Sequence, residues 1–398
     1  MTRSSARLLD PDEVALAVRR AVLEAHEIDV HAVAFTKPLG LPRTTSGKLQ
    51  RGKAREQFLS GTLPIAALWT AGRDTAMADP ETSRASADRM ITWLRDFADT
   101  TLDSRAMDEA RAIPAAVTAA LAEAGLFGLE IPSAFGGAGL SRRDLSRVLQ
   151  QLAAINTTLS AHVWAVATLG TRPILRYGSR ALKRRVLPDT ATGKAALAFA
   201  LTEPAAGSNP RAMRTTATPD GAGGWRINGE KWWIGNGSTA RFITVFCRML
   251  DGAGGPVGFA AFVVEGQAEG ITHSADAHGM GLRAMVQSAI RFHDVAVTEA
   301  DLLGLPGEGF QIATDALAHG RLTLAMGAVG GIYRALQLMH RYASGRIVGT
   351  GLLLDNPVTR ERMATLLAKA DGLAALVDHV AGALDEGREV PTEIYSIL

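Results

Sequence analysis

The sequence predicts a multidomain α+β protein, with a helical domain, a middle antiparallel β domain and a second helical domain behind a short separate head. Three observations predict it. Apolar residues recur at helical spacing from Ser86 to about Lys194, and again after Gly309. Between them, Ala195 to Val297 alternates short β-prone runs with GAGG, DGAGG and EGQAEG. Ahead of all three lies a stretch rich in Ala, Thr, Asp and Ser without an apolar period, which suits a linker. The expected boundaries are a head at 1–65, a linker at 66–85, an N-terminal helical domain at 86–194, a middle β domain at 195–298 and a C-terminal helical domain at 299–398.

Within the head, a helical pattern runs from Val14 to Ala25, followed by an apolar stretch from His31 to Phe35. The turn-rich LPRTTSGK and a basic helix-like run, Leu49 to Leu59, complete it. The first helical domain shows its period in Met90–Trp93–Leu94–Phe97, in Ala115–Leu121 and in Leu145–Leu149–Leu152. The loop GLEIPSAFGGAG, Gly128 to Gly139, interrupts it. Ser141 then reads as an N-cap, with Asp144 completing a capping box. Strands are expected around Trp225–Ile227, Phe242–Phe246, Gly258–Val264 and Ala289–Phe292, and long helices over Phe310–Ser344 and Val358–Leu384.

Of 398 residues, 47% are hydrophobic and 21% charged, as in an ordinary globular protein with a sizeable core. A formal net charge of +2 supplies no pull toward nucleic acid or an anionic membrane, so neither is an expected partner. The single Cys247 excludes a disulfide framework and a Cys-rich zinc site; in the apolar run ITVFCRM it reads as a buried, inert thiol. The N-terminus has no apolar core of signal-peptide type, and no run approaches a span of roughly 18 apolar residues. A cytoplasmic location is the expectation.

The chemistry concentrates at the entry to the β domain. In AFALTEPAAGSNP, Ala198 to Pro210, an apolar strand stops at Thr, Glu and Pro and continues in small residues. That is either an ordinary strand exit or a terminus whose free backbone groups meet a ligand, with Gly207 and Ser208 letting a phosphate approach. In NGEKWWIGNG, Asn228 to Gly237, Asn-Gly reads as a hairpin turn and two tryptophans follow on a strand. Strand alternation sends one indole to each face. They are then a core and a surface indole, or an aromatic wall beside a planar ligand.

Taken together, LTEPAAGSNP and NGEKWWIGNG resemble the flavin-binding signature of acyl-CoA dehydrogenases, T-E-P-x-A-G-S-D and K-x-W-I-T/S-N. The resemblance continues in one register through HGMGLRAMVQSAIRFHDVAV, GLPGEGF, Arg321 and YASGR. Upstream, GLFGLEIPSAFGGAGLS and RYGSRALKRRVLPDTATGK fit the same family. It implies FAD as cofactor, with Phe199, Leu201 and Thr202 at the flavin ring and Gly207 and Ser208 beside the pyrophosphate. Ser208 would also meet the pantetheine arm of the substrate. Trp233 would cover one flavin face, with Ile234 and Gly235 along its edge. Arg346 matches an arginine that reaches the FAD of a neighbouring subunit, which implies a homo-oligomer. Arg321 matches one at the start of the third-domain helix, close to the acyl site.

Departures from the family pattern are specific. Gly235 stands where Thr or Ser usually lies beside flavin N5, Asn209 replaces Asp, and Arg346–Thr350 lacks the aromatic of R-x-x-F-G. A glutamine expected further along is Pro357. The family reaction, α,β-desaturation of an acyl thioester, needs a glutamate base. One family position for it is Gly320 and the other falls past Leu398, so no catalytic residue is assigned and the chain reads as truncated. His319 reads as a solvent-facing helix histidine. The head's LPRTTSGKLQRGKAREQFLSGTLP resembles the tail of fatty acyl-AMP ligases, with Lys48 matching their lysine. The expected function is desaturation of an acyl group on a carrier protein or CoA, in a lipid or polyketide assembly line. An acyl-CoA oxidase and a catalytically inactive scaffold are the alternatives, and the electron acceptor stays open.

Overall fold

The computed structural model describes residues 11–26, 30, 32–37, 40–44, 47–70, 77–349, 351–391 and 393–397. The chain forms two compact units, 1–74 and 75–398. In the first, helices α1 (Pro11–His26) and α2 (Arg51–Leu59) accompany an antiparallel pair, β1 (Ala32–Thr36) and β2 (Ile65–Thr70). Strand β2 corrects the expected linker at 66–85. IAALWT carries enough apolar surface to pair with AVAFT, so the head extends beyond residue 65. The linker also ends early, because Asp79 caps a helix by accepting from Thr82 N. Residues 71–76 lie outside the described residues, as do Thr45, Ser46 and Thr350.

The second unit opens with helices α3 (Pro80–Thr100), α4 (Ser104–Ala110), α5 (Ala115–Glu123), α6 (Arg142–Ile155), α7 (Thr157–Trp164), α8 (Thr171–Tyr177) and α9 (Arg180–Ala191). A π-helical turn, Ala165–Gly170, joins α7 to α8. Ser141 caps α6 as expected, accepting from Asp144 N. The return arm of the capping box is relayed, because Ser141 N donates to Ser83 Oγ, which donates to Asp144 Oδ2. That relay ties α3 to the start of α6.

The middle sheet has seven strands: β3 (Leu197–Ala200), β4 (Thr216–Pro219), β5 (Trp225–Gly235), β6 (Phe242–Leu250), β7 (Pro256–Glu265), β8 (Ile271–His273) and β9 (Gln287–Val297). Most of its pairings are antiparallel, but β3 and β4 both run parallel to β6, along successive stretches of one edge. Side chains on β6 alternate between two cores. Phe242 and Phe246 join the helical core, while Ile243, Val245 and the buried Cys247 join the core of the sheet. Burial pushes the Cys247 thiol up to about 12, so it stays protonated.

The Asn228–Gly229 pair is not a hairpin turn. It lies inside β5, where the register shifts between Ile227 and Gly229. Asn228 and Asp294 exchange two hydrogen bonds across this bulge. A Cβ at Gly229 would come within 2.6 Å of Thr215 Oγ1, and its φ is +145°, so glycine is required there by packing and by backbone.

Helices α10 (Gly309–Gly345), α11 (Pro357–Asp385) and α12 (Ile394–Ile397) complete the fold, with a small pair β10 (Ile347–Val348) and β11 (Gly351–Leu352) between the first two. By length and composition α10 is apolar enough to cross a membrane, which corrects the expectation that no segment is. Here Ile312, Ala316, Leu322, Met326 and Val329 are buried core residues of a helix packed on α6.

Candidate functional site

Lys231, which is 0% exposed, anchors the site. Its Nζ donates to Glu203 Oε1 at 2.8 Å and to Leu201 O at 3.0 Å, so the strand exit and the tryptophan strand are clamped together. Glu203 also accepts from Arg214 N and from Thr215 N, the latter at 3.0 Å. Burial alone would push this carboxyl up, but the Lys231 charge and these hydrogen bonds outweigh it and hold it below its usual range. Burial pulls Lys231 down, partly offset by Glu203. Trp232 N donates to Thr202 O at 2.8 Å, so two of the backbone acceptors expected to be free at the strand exit are already used.

Beyond Lys231 the strand bulges, and the register shifts between Lys231 and Ile234. Trp233 takes up φ +59°, a left-handed conformation that costs an ordinary residue about 1–2 kcal/mol. The expected alternation of the two indoles therefore fails. Lys231 and Ile234 both point inward, while Trp232 and Trp233 are 37% and 60% exposed.

The two stretches meet at a cavity of about 250 Å³. Phe199, Leu201, Thr202, Trp233, Ile234 and Gly235 line it on the β-domain side. Trp164, Ala165 and Leu169 from α7 and the π turn, Leu317 from α10, and Met285 and Gln287 complete the wall. Six residues expected at a flavin ring thus share one cavity. No Asp or Glu is among its lining residues.

The remaining expected residues lie elsewhere. Gly207 and Ser208 are exposed on the loop after β3, and a Cβ at Gly207 would meet only Thr202 Cγ2, at 4.0 Å. Arg346 caps the C-terminus of α10, exposed, with its carbonyl accepting from Leu353 N. Arg321 sits in the interior of α10 rather than at its start, because that helix begins at Gly309; it is exposed and does not line the cavity. His319 is not solvent-facing. It is 5% exposed, and its Nε2 lies 2.7 Å from Glu130 Oε2, a carboxylate that also pairs with the buried Arg142. Helix α10 is covered on that side by the 128–139 loop, which turns an expected surface position into a core one.

Family models match three successive segments: the acyl-CoA dehydrogenase N-terminal domain over residues 85–194, the middle domain over 198–295 and the C-terminal domain over 307–397. The chain belongs to the acyl-CoA dehydrogenase family. The family comprises FAD-dependent oxidoreductases that act on CH–CH bonds. The probable acyl-CoA dehydrogenase FadE10 of Mycobacterium tuberculosis is 34% identical over 337 residues, 84% of this chain and 51% of that protein. The very long-chain specific acyl-CoA dehydrogenase of Rattus norvegicus is 34% identical over 62% of this chain and 38% of its own length. The chain thus spans about half the length, or less, of these curated relatives. Among solved structures, a glutaryl-CoA dehydrogenase from Mycobacterium smegmatis in complex with FADH2 superposes with TM-score 0.71 at 27% identity, covering 78% of each chain. Butyryl-CoA dehydrogenase from Megasphaera elsdenii gives 0.73 at 26% identity, over 78% of this chain and 82% of that one.

Sequence reasoning missed three groups: the Lys231–Glu203 clamp and Trp164 at the cavity, and the buried Glu130–His319–Arg142 cluster, none of whose members lines it. Only the first left a signal, a lysine at an inward strand position two residues before an exposed aromatic.

Proposed function

We propose that the cavity between the β domain and α10 holds the isoalloxazine ring of FAD, and that the reaction is α,β-desaturation of an acyl thioester. The observation that carries this reading is the convergence of Phe199, Leu201, Thr202, Trp233, Ile234 and Gly235 on one cavity. The residues fit a flat tricyclic ring. An exposed indole stands at the rim, and Gly235 presents no side chain to it. When bound, FAD supplies an acceptor for the hydride equivalent leaving the β-carbon.

The chain's own residues then bind, orient and exclude water. With FAD bound, Trp233 would cover the ring and Thr202 would offer a hydroxyl at its edge. Leu169, Leu317 and Met285 make the wall apolar, which would exclude water from the reacting atoms. Removal of the α-proton needs a base, and the lining residues provide none. That absence favours a second reading, a flavin-binding fold that takes up thioesters without turning them over.

The finer reading places the acyl group on a carrier protein or CoA, within a lipid or polyketide assembly line, and in a homo-oligomer. Its support is the resemblance of the head to a ligase tail, in which Thr44 N donates to Lys48 O and Lys48 N to Thr44 Oγ1, and, for the oligomer, the match of Arg346. Anaerobic mixing of the FAD-loaded protein with butanoyl-CoA tests the main reading. Bleaching of the flavin band supports desaturation, whereas a shifted but unbleached band supports uptake without turnover. Reoxidation in air after bleaching separates an oxidase from a dehydrogenase.

A further inference from the structure

A second cavity, of about 260 Å³, shares its partition with the first. On the π turn Ala165 lines the first cavity and Val166 the second. At the end of β5, Gly235 and Asn236 divide in the same way. Before β9, Met285 lines the first, while Ala284 and Val286 on either side of it line the second. No residue of α10 lines this second space, which is completed by α5, α7 and the start of β3.

Its wall is deep and uncharged. Phe127, Val166, Ala195, Asn236 and Ala284 are buried, whereas Thr239 is exposed and marks the mouth. No Lys, Arg, Asp or Glu is among the lining residues, and most of them are apolar. The exception is His162 on α7. Its Nε2 is buried and meets no hydrogen-bond partner among the described residues. Phe127 packs edge-on against the imidazole, with ring centroids 5.6 Å apart. Burial pulls the imidazole down from its ordinary value of 6.5, against the opposing effect of the Asn236 side chain, so the ring is neutral near pH 7. A buried nitrogen left unpaired is costly, and its presence calls for a partner.

These features select the partner's chemistry. A dry cavity of about 150 Å³ is enough for benzene, so this one has room for a substituted ring. A carboxylate or an ammonium group would be desolvated here without a counter-charge in the lining, at heavy cost. A hydroxyl both donates and accepts, so it satisfies His162 Nε2 in either tautomer of the ring. We propose that the second cavity binds a small, neutral, largely apolar molecule with one hydroxyl group, a phenol or an alcohol, anchored by His162. The site stands independently of what the first cavity holds.

The test uses the FAD-loaded full chain and fluorine NMR of three probes of similar shape: 4-fluorophenol, fluorobenzene and 4-fluorobenzoate. 4-Fluorophenol should bind roughly fivefold more tightly than fluorobenzene, as one added hydrogen bond allows. 4-Fluorobenzoate should show no binding. His162→Phe keeps an aromatic ring and removes the nitrogen, so it should bring 4-fluorophenol down to the affinity of fluorobenzene. Thr239→Trp fills the mouth from an exposed position and should weaken both neutral probes at least about tenfold. Absence of 4-fluorophenol binding at millimolar concentration overturns the proposal and leaves water as the occupant. So does equal binding of the three probes by the native chain, or a His162→Phe protein of native stability that keeps the preference for the phenol. Displacement of 4-fluorophenol by butanoyl-CoA would place the probe in the first cavity and overturn the proposal as well.

Discussion

Lys231 Nζ lies 2.8 Å from Glu203 Oε1, with both side chains buried, and this ion pair joins the two sequence stretches that form the cavity. Leu201 and Thr202 follow β3, while Trp233 and Ile234 follow Lys231. The pair therefore fixes the separation of the cavity's walls. Removing one partner leaves an uncompensated buried charge, which typically costs about 3–5 kcal/mol. Glu203→Gln and Lys231→Met should each lower the urea midpoint accordingly. The double variant should recover part of the loss, since neither charge then remains alone. Single variants within about 1 kcal/mol of the native protein would show that the pair is not under load.

Trp233 trades stability for exposure. Its φ of +59° is one that glycine adopts freely and an aromatic residue resists. Trp233→Gly should leave the flavin-free chain as stable or about 1 kcal/mol more stable, because backbone strain is relieved while little buried surface is lost. FAD retention should fall in the same variant, since stacking contributes roughly 0.5–1.5 kcal/mol beyond burial. Denaturation of the flavin-free protein and FAD titration are the paired measurements. Unchanged FAD affinity would remove the indole from the site.

The β-domain stretches were legible because their chemistry is local. Thr-Glu-Pro at a strand end and two tryptophans after a lysine are short-range patterns, and their residues do meet at the cavity. What escaped depends on distant partners. His319 reads as an exposed helix position until Glu130, 189 residues away, supplies its hydrogen bond. Asn228–Gly229 carries a hairpin signal that Asp294 and Thr215 convert into a bulge. Strand β2 was hidden by its alanines, which carry weak β preference until β1 pairs with them. Trp164 is one apolar residue in VWAVATLG, and only the packing of α10 gives it a role.

Gly235 leaves a position that can be filled. Its backbone is not in the left-handed region, and a Cβ there would meet only Met285 Cε, at 3.1 Å, the free end of a flexible side chain. Gly235→Ser should therefore fold normally and present a hydroxyl to the cavity. One neutral hydrogen bond to the flavin would tighten FAD by about 0.5–1.5 kcal/mol. Fluorescence titration of the flavin-free variant measures this directly. Weaker binding by a variant of unchanged stability would mean that the ring does not pass this edge.

His319 makes stability depend on pH in a defined direction. Burial, followed by the charges of Arg172, Arg142 and Arg176, holds its imidazole well below the ordinary value of 6.5. The Glu130 carboxylate at 2.7 Å acts the other way, but Arg142 already neutralises it. The folded chain therefore keeps His319 neutral, while the unfolded chain takes up a proton below about pH 6.5. Between the folded and unfolded values the unfolded state binds more protons, so this contribution is complete above about pH 6.5 and is lost as pH falls. The slope approaches 1.4 kcal/mol per pH unit, roughly the energy of one unit of pKa. Urea midpoints from about pH 7.5 to about pH 5.5 should fall more steeply for the native chain than for His319→Gln, whose amide can still donate to Glu130. Glu130 holding the imidazole charged would produce the opposite result, a native chain that gains stability over His319→Gln as the medium is acidified.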